Sequence, residues 1–251
     1  MVTIEEKLSN INLIEVCLVI IVTILFISIL PLFNINNVDE EWLYVIVICY
    51  LLFKFRGCGD SLRNDFQNIF SKIKFKNFLI VVVANIFFSY VMLYLFYFSI
   101  DFLDVTMSSF VILSKSIPLI SSLISSIIIA PVFEELFFRG IILSKLKTYF
   151  SPIFAIILSS AIFAILHAPG SIISAFVFGI CMAILYLKSN NIILPIVAHG
   201  FNNLCAEILY YFDPNELLFS ENLLIIIFSI VGIVSAYLIF ISIREELKRI
   251  V

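Results

Sequence analysis

The long apolar segments of this chain contain few side chains that can do acid–base chemistry, and three short motifs hold most of them. The chain has only two histidines, and both fall in or at the edge of apolar segments. Histidine exchanges protons near neutral pH more readily than any other side chain. An ionisable group inside hydrocarbon costs at least about 2.5–3.5 kcal/mol on insertion scales, so each is a candidate for function. These residues are Glu15, Glu134, Glu135, Arg139, His167, His199 and Glu207.

The first motif is an E-E-x-x-x-R array that runs from Glu134 to Arg139. Glu135 and Arg139 are four residues apart, on one face of a helix and in the order that favours an ion pair. Glu134 is turned about 100° away from Glu135 on the helix. We therefore expect Glu135 and Arg139 to neutralise each other as a supporting pair while Glu134 faces a cavity. The alternative is a purely architectural network of buried ions.

The other two motifs each contain one of the histidines. An F-x-x-x-H turn ends at His167, ahead of an A-P-G sequence, and an H-x-x-x-N turn joins His199 to Asn203 on one helix face. Taken singly, each has a structural alternative: an interfacial histidine for the first and an interhelical hydrogen bond for the second. Together they indicate hydrolysis. A carboxylate and imidazoles activate water, directly or through a metal ion, and an amide with an imidazole can hold an oxyanion.

The composition places these motifs in a membrane. The 251 residues are 63% hydrophobic and 13% charged, whereas an average soluble domain is about half apolar and about a quarter charged. The net charge of −3 lacks the basic excess that a nucleic-acid partner requires. Five cysteines without a C-x-x-C pair argue against a disulfide framework. We expect an integral membrane protein whose surroundings are the lipid bilayer.

A helix needs about 20 apolar residues to cross the hydrocarbon. We predict an all-α, polytopic transmembrane bundle with about eight crossings, in a single domain (1–251) whose catalytic core spans about 117–210. Six or seven crossings are the alternative, because the second segment is short. The segments are Ile11–Leu32, Trp42–Phe55, Phe78–Ile100, Ile117–Leu143, Pro152–His167, Ile172–Leu187, Ile192–Tyr210 and Leu223–Ile243.

The charges of the loops predict the orientation of the bundle. Lys and Arg concentrate in the Lys54–Lys76 loop and after the fourth, sixth and eighth segments, whereas the alternate loops are acidic. Cytoplasmic loops carry the excess of Lys and Arg, so both termini are expected in the cytoplasm. At 1.5 Å per residue, His167 lies about 22 Å from Pro152, farther out than the other candidates. A short, tilted hairpin of the fifth and sixth segments would bring it back toward them.

At these three motifs the sequence resembles the CPBP family of intramembrane proteases, which includes the type II CAAX prenyl endopeptidases and the bacterial Abi or bacteriocin-immunity proteins. The resemblance covers about Ile117–Tyr210. It implies an all-helical endopeptidase that hydrolyses a peptide bond inside the membrane. Glu134 corresponds to the catalytic carboxylate and His167 to its partner in activating water. His199 and Asn203 correspond to the pair that stabilises the oxyanion, and the remaining Glu and Arg of the first motif to a supporting pair.

The resemblance leaves the use of a metal open, although the family usually carries a metalloprotease label. Glu134, His167 and His199 are a plausible zinc ligand set, but an H-E-x-x-H motif is absent. The cofactor therefore stays undetermined, with zinc as the candidate. We favour water that is activated without a permanently bound metal.

The resemblance also frames the substrate and the location. The eukaryotic relatives cleave behind a prenylated cysteine, which bacteria generally lack, and a composition rich in Ile, Asn and Lys indicates a bacterium with AT-rich DNA. We therefore predict a peptide substrate (a peptide precursor, a bacteriocin or a membrane-associated protein tail) in the bacterial cytoplasmic membrane, reached from the cytosol or inner leaflet. The alternatives are a catalytically inactive bacteriocin-immunity or binding protein and a proton-coupled transporter.

Overall fold

The computed structural model describes residues 3–33, 41–69, 75–102, 123–213 and 221–248, and all regular secondary structure in these ranges is helical. The prediction of an all-α polytopic bundle is therefore confirmed. Helix α2 continues into a 3₁₀ turn, and α6 combines α and π segments. The helices are α1 (Ile4–Asn10), α2 (Leu13–Ile29), α3 (Glu41–Lys54), α4 (Gly59–Gln67), α5 (Phe75–Phe102), α6 (123–149), α7 (Pro152–Ala164), α8 (Ile172–Ser189), α9 (Ile193–Phe212) and α10 (Asn222–Leu247).

Several helices are long and apolar enough to cross a membrane. Within the described ranges four meet this requirement, and α3 with α4, bent by 110°, would make a fifth. The apolar stretches Pro152–Ala164 of α7 and Ile193–Leu209 of α9 are shorter. The 13 residues of α7 extend about 20 Å. The predicted fourth crossing, Ile117–Leu143, begins outside the described residues. The chain is a multi-pass membrane protein, and eight crossings with cytoplasmic termini stay a prediction. The four spans are Leu13–Phe33, Phe78–Phe96, Pro169–Ser189 and Asn222–Leu247.

Burial divides the helices into a central group and a periphery. In the span that contains α8, 56% of the residues are buried, compared with 11% in the span of α2 and 17% in α10. The side chains of Leu18, Val22 and Phe26 on α2 are more than half exposed. Polar backbone groups within each helix bond internally, so such apolar faces suit contact with lipid. Polar chemistry is therefore expected between the central helices α6, α7, α8 and α9.

Helix α6 is a continuous helix with irregular hydrogen bonding on both sides of its two glutamates. Its first irregular stretch precedes Pro131, which has no backbone N–H to donate. Glu134 and Glu135 occupy the short regular stretch that follows. Such π segments are frequent at functional sites. The stretches are Ser125–Ile129 (π), Ala130–Glu135 (α) and Leu136–Leu143 (π).

The segments predicted to face the cytoplasm are joined to one another. Lys7 Nζ of α1 donates to the carbonyl of Arg56, just after α3, at 2.9 Å. The Asn191 side-chain amide, between α8 and α9, donates to the carbonyl of Asp65 in α4 at 2.7 Å. The short helices α1 and α4 therefore pack at the end of the bundle where α3 ends and α9 begins.

Candidate active site

A buried ion pair lies at the centre of the helical core. Arg139 Nη1 donates to Glu135 Oε1 at 2.9 Å, and the two side chains are 2% and 0% exposed. Arg139 Nη2 also donates to the carbonyl of Gly179 in α8 at 3.4 Å. Its guanidinium lies 4.4 Å from the centre of the Phe163 ring in α7. The pair that the spacing predicts is present, and through it Arg139 connects α6 with both helices of the α7–α8 hairpin.

His199 of α9 lies between the two adjacent carboxylates. Its Nδ1 is 2.8 Å from Glu135 Oε1, and its Nε2 is 3.7 Å from Glu134 Oε2. Because Nδ1–H donates to Glu135, Nε2 is the ring nitrogen that faces Glu134. The sequence indicated Arg139 as the partner of Glu135 but carried no signal for this second partner, since His199 is 64 residues away from Glu135 along the chain.

The two carboxylates differ in accessibility. The Glu134 side chain is 18% exposed, whereas that of Glu135 is completely buried. Glu134 Oε2 is itself buried and has no hydrogen-bond partner among the described residues. An acceptor in this condition suits a water or substrate group that it can bind. Glu134 is thus the more accessible of the two carboxylates, and that it faces a cavity stays a prediction.

His167 lies in the turn that follows α7, and its ring packs against Phe163. Its Nδ1–H donates to the Phe163 carbonyl at 2.9 Å, and the two ring centres are 4.4 Å apart. The Phe163 ring also packs edge-on to the ring of His199, at 6.1 Å between ring centres. One aromatic side chain therefore contacts both histidines, and α7 ends at Ala164, early enough to bring His167 into the same region.

Asn203 is one turn beyond His199 on α9, and the structure joins it to α6. Its Nδ2 donates to the carbonyl of Ser126 at 2.8 Å. The hydroxyl of Ser126 in turn donates to Glu207 Oε1, also at 2.8 Å. Glu207 was recognisable in the sequence as an intramembrane carboxylate, but no motif indicated a role for it.

Aromatic rings surround the polar centre. Phe178 of α8 packs edge-on to the His199 ring at 4.8 Å, and Phe138 of α6 packs edge-on to Phe163 at 5.2 Å. Phe138, Phe163 and Phe178 are all buried. Rings in these positions keep water from the sealed side of the site and lower the local dielectric constant. Fixed dipoles therefore act more strongly on a developing charge than they do in water.

A structural or catalytic metal ion would need at least three donor side chains close together. In the parts of the chain that the structure describes, no three His, Cys, Asp or Glu side chains are grouped so as to hold an ion. The zinc ligand set considered from the sequence, with Glu134 as its third member, is therefore not assembled here.

A family of known proteins resembles the helical core of this chain. Residues 115–205 match the family model of type II CAAX prenyl endopeptidase Rce1-like proteins. This segment contains all seven specified residues of the three motifs. No curated protein and no solved structure matched the chain. The match supports a membrane protease at the level of that family. Over residues 115–205 the chain is therefore similar to the type II CAAX prenyl endopeptidase Rce1-like proteins, the kind of protein that its three motifs resemble.

Proposed function

We propose that this protein is an endopeptidase that cleaves a small or membrane-associated peptide by water attack within the helical core. One observation carries this proposal. His199 lies between Glu135 and the partly exposed Glu134, and Glu134 Oε2 has no hydrogen-bond partner among the described residues. A sealed carboxylate orients the imidazole, and an accessible carboxylate remains beside it for a reacting water. This division between a supporting acid and a reactive acid suits general-base hydrolysis, in which a positioned side chain takes the proton of the attacking water.

In the proposed mechanism Glu134 accepts a proton from water as the water oxygen attacks the substrate carbonyl carbon. His167, with Nδ1 held by a backbone carbonyl, uses Nε2 to orient that water. The carbonyl oxygen becomes an oxyanion, which the Nε2–H of His199, with its ring protonated on both nitrogens, and the Asn203 amide stabilise by hydrogen bonds. The C–N bond then breaks, and the proton held by Glu134 passes to the leaving amine.

Glu135 and Arg139 support this arrangement without touching the substrate. Glu135 Oε1 accepts from both Arg139 and His199, so the position of the imidazole depends on a carboxylate that Arg139 holds in place. Orientation of a histidine by a buried carboxylate is a recurring device in hydrolases. The pair therefore acts on the rate through the geometry of His199.

The surroundings of His167 indicate the class of substrate. The two residues before it, Ile165 and Leu166, are 68% and 70% exposed. Apolar surface beside the reactive groups fits a substrate with an apolar or lipid-modified segment, such as a peptide precursor, a bacteriocin or the tail of a membrane-associated protein. We propose that the substrate reaches the site from the inner leaflet of a bacterial cytoplasmic membrane.

Peptide cleavage by the purified protein in lipid nanodiscs tests the function. Mass spectrometry of the products would compare the wild type with Glu134→Gln and His167→Ala, over a panel of apolar and lipid-modified peptides. We expect each variant to lower kcat by about 10²–10⁴-fold, since each removes an acid–base group. Glu15→Gln is the matched control, because this membrane carboxylate pairs with Lys54, away from the site. Equal cleavage by the wild type and both site variants would reject the assignment.

The same cleavage assay tests whether the reaction needs a bound metal. The protein would be treated with chelators, its metal content measured by elemental mass spectrometry, and cleavage measured again. We expect metal-free protein to keep its activity, because the proposed water activation uses side chains alone. Loss of activity that zinc restores would contradict this mechanism.

A further inference from the structure

Glu207 is an intramembrane carboxylate to which the proposed mechanism gives no role. Glu207 lies one helical turn beyond Asn203 on α9, and its Oε1 accepts a hydrogen bond from the Ser126 hydroxyl at 2.8 Å. We propose that Glu207 and Ser126 are positioning residues that fix the direction of the Asn203 amide toward the oxyanion. This inference rests on the proposed function, and it assigns a role to residues outside the three sequence motifs.

The backbone carbonyl of Ser126 has no donor within α6 itself. In the π segment the amide of Ala130 donates to the carbonyl of Ser125, five residues earlier. The same pattern would pair the Ser126 carbonyl with the amide of residue 131, but Pro131 has no N–H. An unsatisfied carbonyl in hydrocarbon costs several kcal/mol. The Asn203 side chain supplies the missing donor at 2.8 Å.

The side-chain amide of Asn203 has two N–H donors, and they lie in one plane. Asn203 Nδ2 carries two hydrogens, and one of them is directed at the Ser126 carbonyl. The amide is planar, so fixing the first N–H also fixes the direction of the second. The second N–H is the one available to an oxyanion. Its aim therefore depends on where the Ser126 carbonyl lies.

Ser126 is held by hydrogen bonds from two residues of α9. Its carbonyl accepts from Asn203, and its hydroxyl donates to Glu207, one turn farther along α9. Two hydrogen bonds to one residue restrain rotation of the π segment against α9, which a single bond would not. Loss of the contact to Glu207 would let the Ser126 carbonyl move and would turn the Asn203 amide with it.

The backbones are close enough here for small shifts to matter. A Cβ built on Gly200 would lie 2.6 Å from the carbonyl oxygen of Ile127, the residue after Ser126. Helix α9 therefore approaches the π segment of α6 at the point where His199 and Asn203 enter the site.

The alternative explanation is that Ser126 only gives the Glu207 carboxylate a hydrogen-bond partner in an apolar environment. In that case Glu207 affects stability alone.

Steady-state kinetics of paired variants separate these accounts. Glu207→Leu removes the acceptor, whereas Glu207→Gln keeps an amide oxygen at the same place. We expect Glu207→Leu to lower kcat roughly ten-fold without a change in KM, since oxyanion contacts form only in the transition state. We expect Glu207→Gln to keep most of the rate. In an Asn203→Ala background, Glu207→Leu should lower kcat no further, because its effect passes through Asn203.

Three results would overturn the proposal: the same ten-fold loss from Glu207→Leu in the Asn203→Ala background, equal losses from Glu207→Gln and Glu207→Leu, or a change in KM alone. Thermal unfolding in nanodiscs would establish that each variant is folded. If Glu207→Leu does not fold, Ser126→Ala replaces it in the same cycle, because it deletes the hydroxyl and keeps the carbonyl. A wild type that cleaves nothing rejects the proposed function, whereas an active wild type with independent effects rejects only the positioning role.

Discussion

At the scale of single residues, the site depends on one carboxylate oxygen atom that accepts hydrogen bonds from two side chains. Glu135 Oε1 lies 2.9 Å from Arg139 Nη1 and 2.8 Å from His199 Nδ1. A carboxylate that is fully buried is costly unless it is paired and hydrogen-bonded. Arg139 supplies the charge, and His199 supplies a second donor. Stability and the orientation of the imidazole are therefore coupled through Glu135.

Replacement of Arg139 tests this coupling. Arg139→Ala leaves the Glu135 carboxylate buried without its charge partner, and we expect the free energy of unfolding to fall by about 3–5 kcal/mol. Folded yield and peptide cleavage should fall together. The measurement is unfolding of purified protein in nanodiscs, followed by activity of the folded fraction.

Lys54→Ala provides the control for a pair that water can reach. Lys54 pairs with Glu15 at 2.7 Å, but their side chains are 37% and 48% exposed. Exposed pairs contribute little to stability, so this variant should behave like the wild type. An Arg139→Ala protein of normal yield and stability would count against the supporting role of the pair.

At the scale of elements, the crossing of α6 and α9 decides which residues meet. Helix α9 presents His199 to the regular stretch of α6 and Asn203 to its first π segment. Gly200 permits this approach, because its missing side chain leaves room for the Ile127 carbonyl. The short α7 and its turn then add His167 from the other side, through Phe163. The site is thus an assembly of three helices around α6.

Gly200→Ala tests the close approach. Its Cβ would meet backbone oxygen at 2.6 Å, which no side-chain rotation relieves. We expect a loss of about 1–3 kcal/mol in unfolding free energy, as for other overpacked interiors. We also expect the kcat of the folded protein to fall, because His199 moves with the helix.

Gly59→Ala is the matched control, since a Cβ at that position has no neighbour within 4 Å. It should leave unfolding and cleavage near the wild-type values. If Gly200→Ala is as active and as stable as Gly59→Ala, the close approach of α9 and α6 is not needed for the site.

At the scale of the whole molecule, the basic segments gather at one end of the bundle. Lys188, near the end of α8, pairs with Glu246, near the end of α10. The 26 residues of α10 extend about 39 Å, so Glu221, which precedes that helix, lies far from this end. The excess of Lys and Arg then predicts that the end with Lys188 faces the cytoplasm.

Labelling of single cysteines with a membrane-impermeant maleimide tests the orientation. In a variant without its five native cysteines, Lys147→Cys and Glu221→Cys would each provide one exposed thiol. We expect Glu221→Cys to react in intact cells and Lys147→Cys to react only after the membrane is opened. The reverse pattern would overturn the predicted orientation and the proposed access from the inner leaflet.

The sequence by itself determined the features that depend on composition and on spacing within one helix. The excess of apolar residues requires a membrane, and the absence of long polar stretches favours a helical bundle. The pairing of Glu135 with Arg139 follows from their separation by four residues, since helical periodicity places them on one face. The small number of intramembrane charges also made the candidate residues visible.

Only the tertiary structure decided which helices meet and which atoms face one another. The contacts of His199 with Glu135 and of Asn203 with Ser126 join residues 64 and 77 positions apart. Helical periodicity determines the face of a residue on its own helix, but not where a second helix crosses that face. That crossing depends on packing around Gly200 and on the carbonyl that Pro131 leaves without a donor. These are properties of two helices in contact, so neither segment alone contains them.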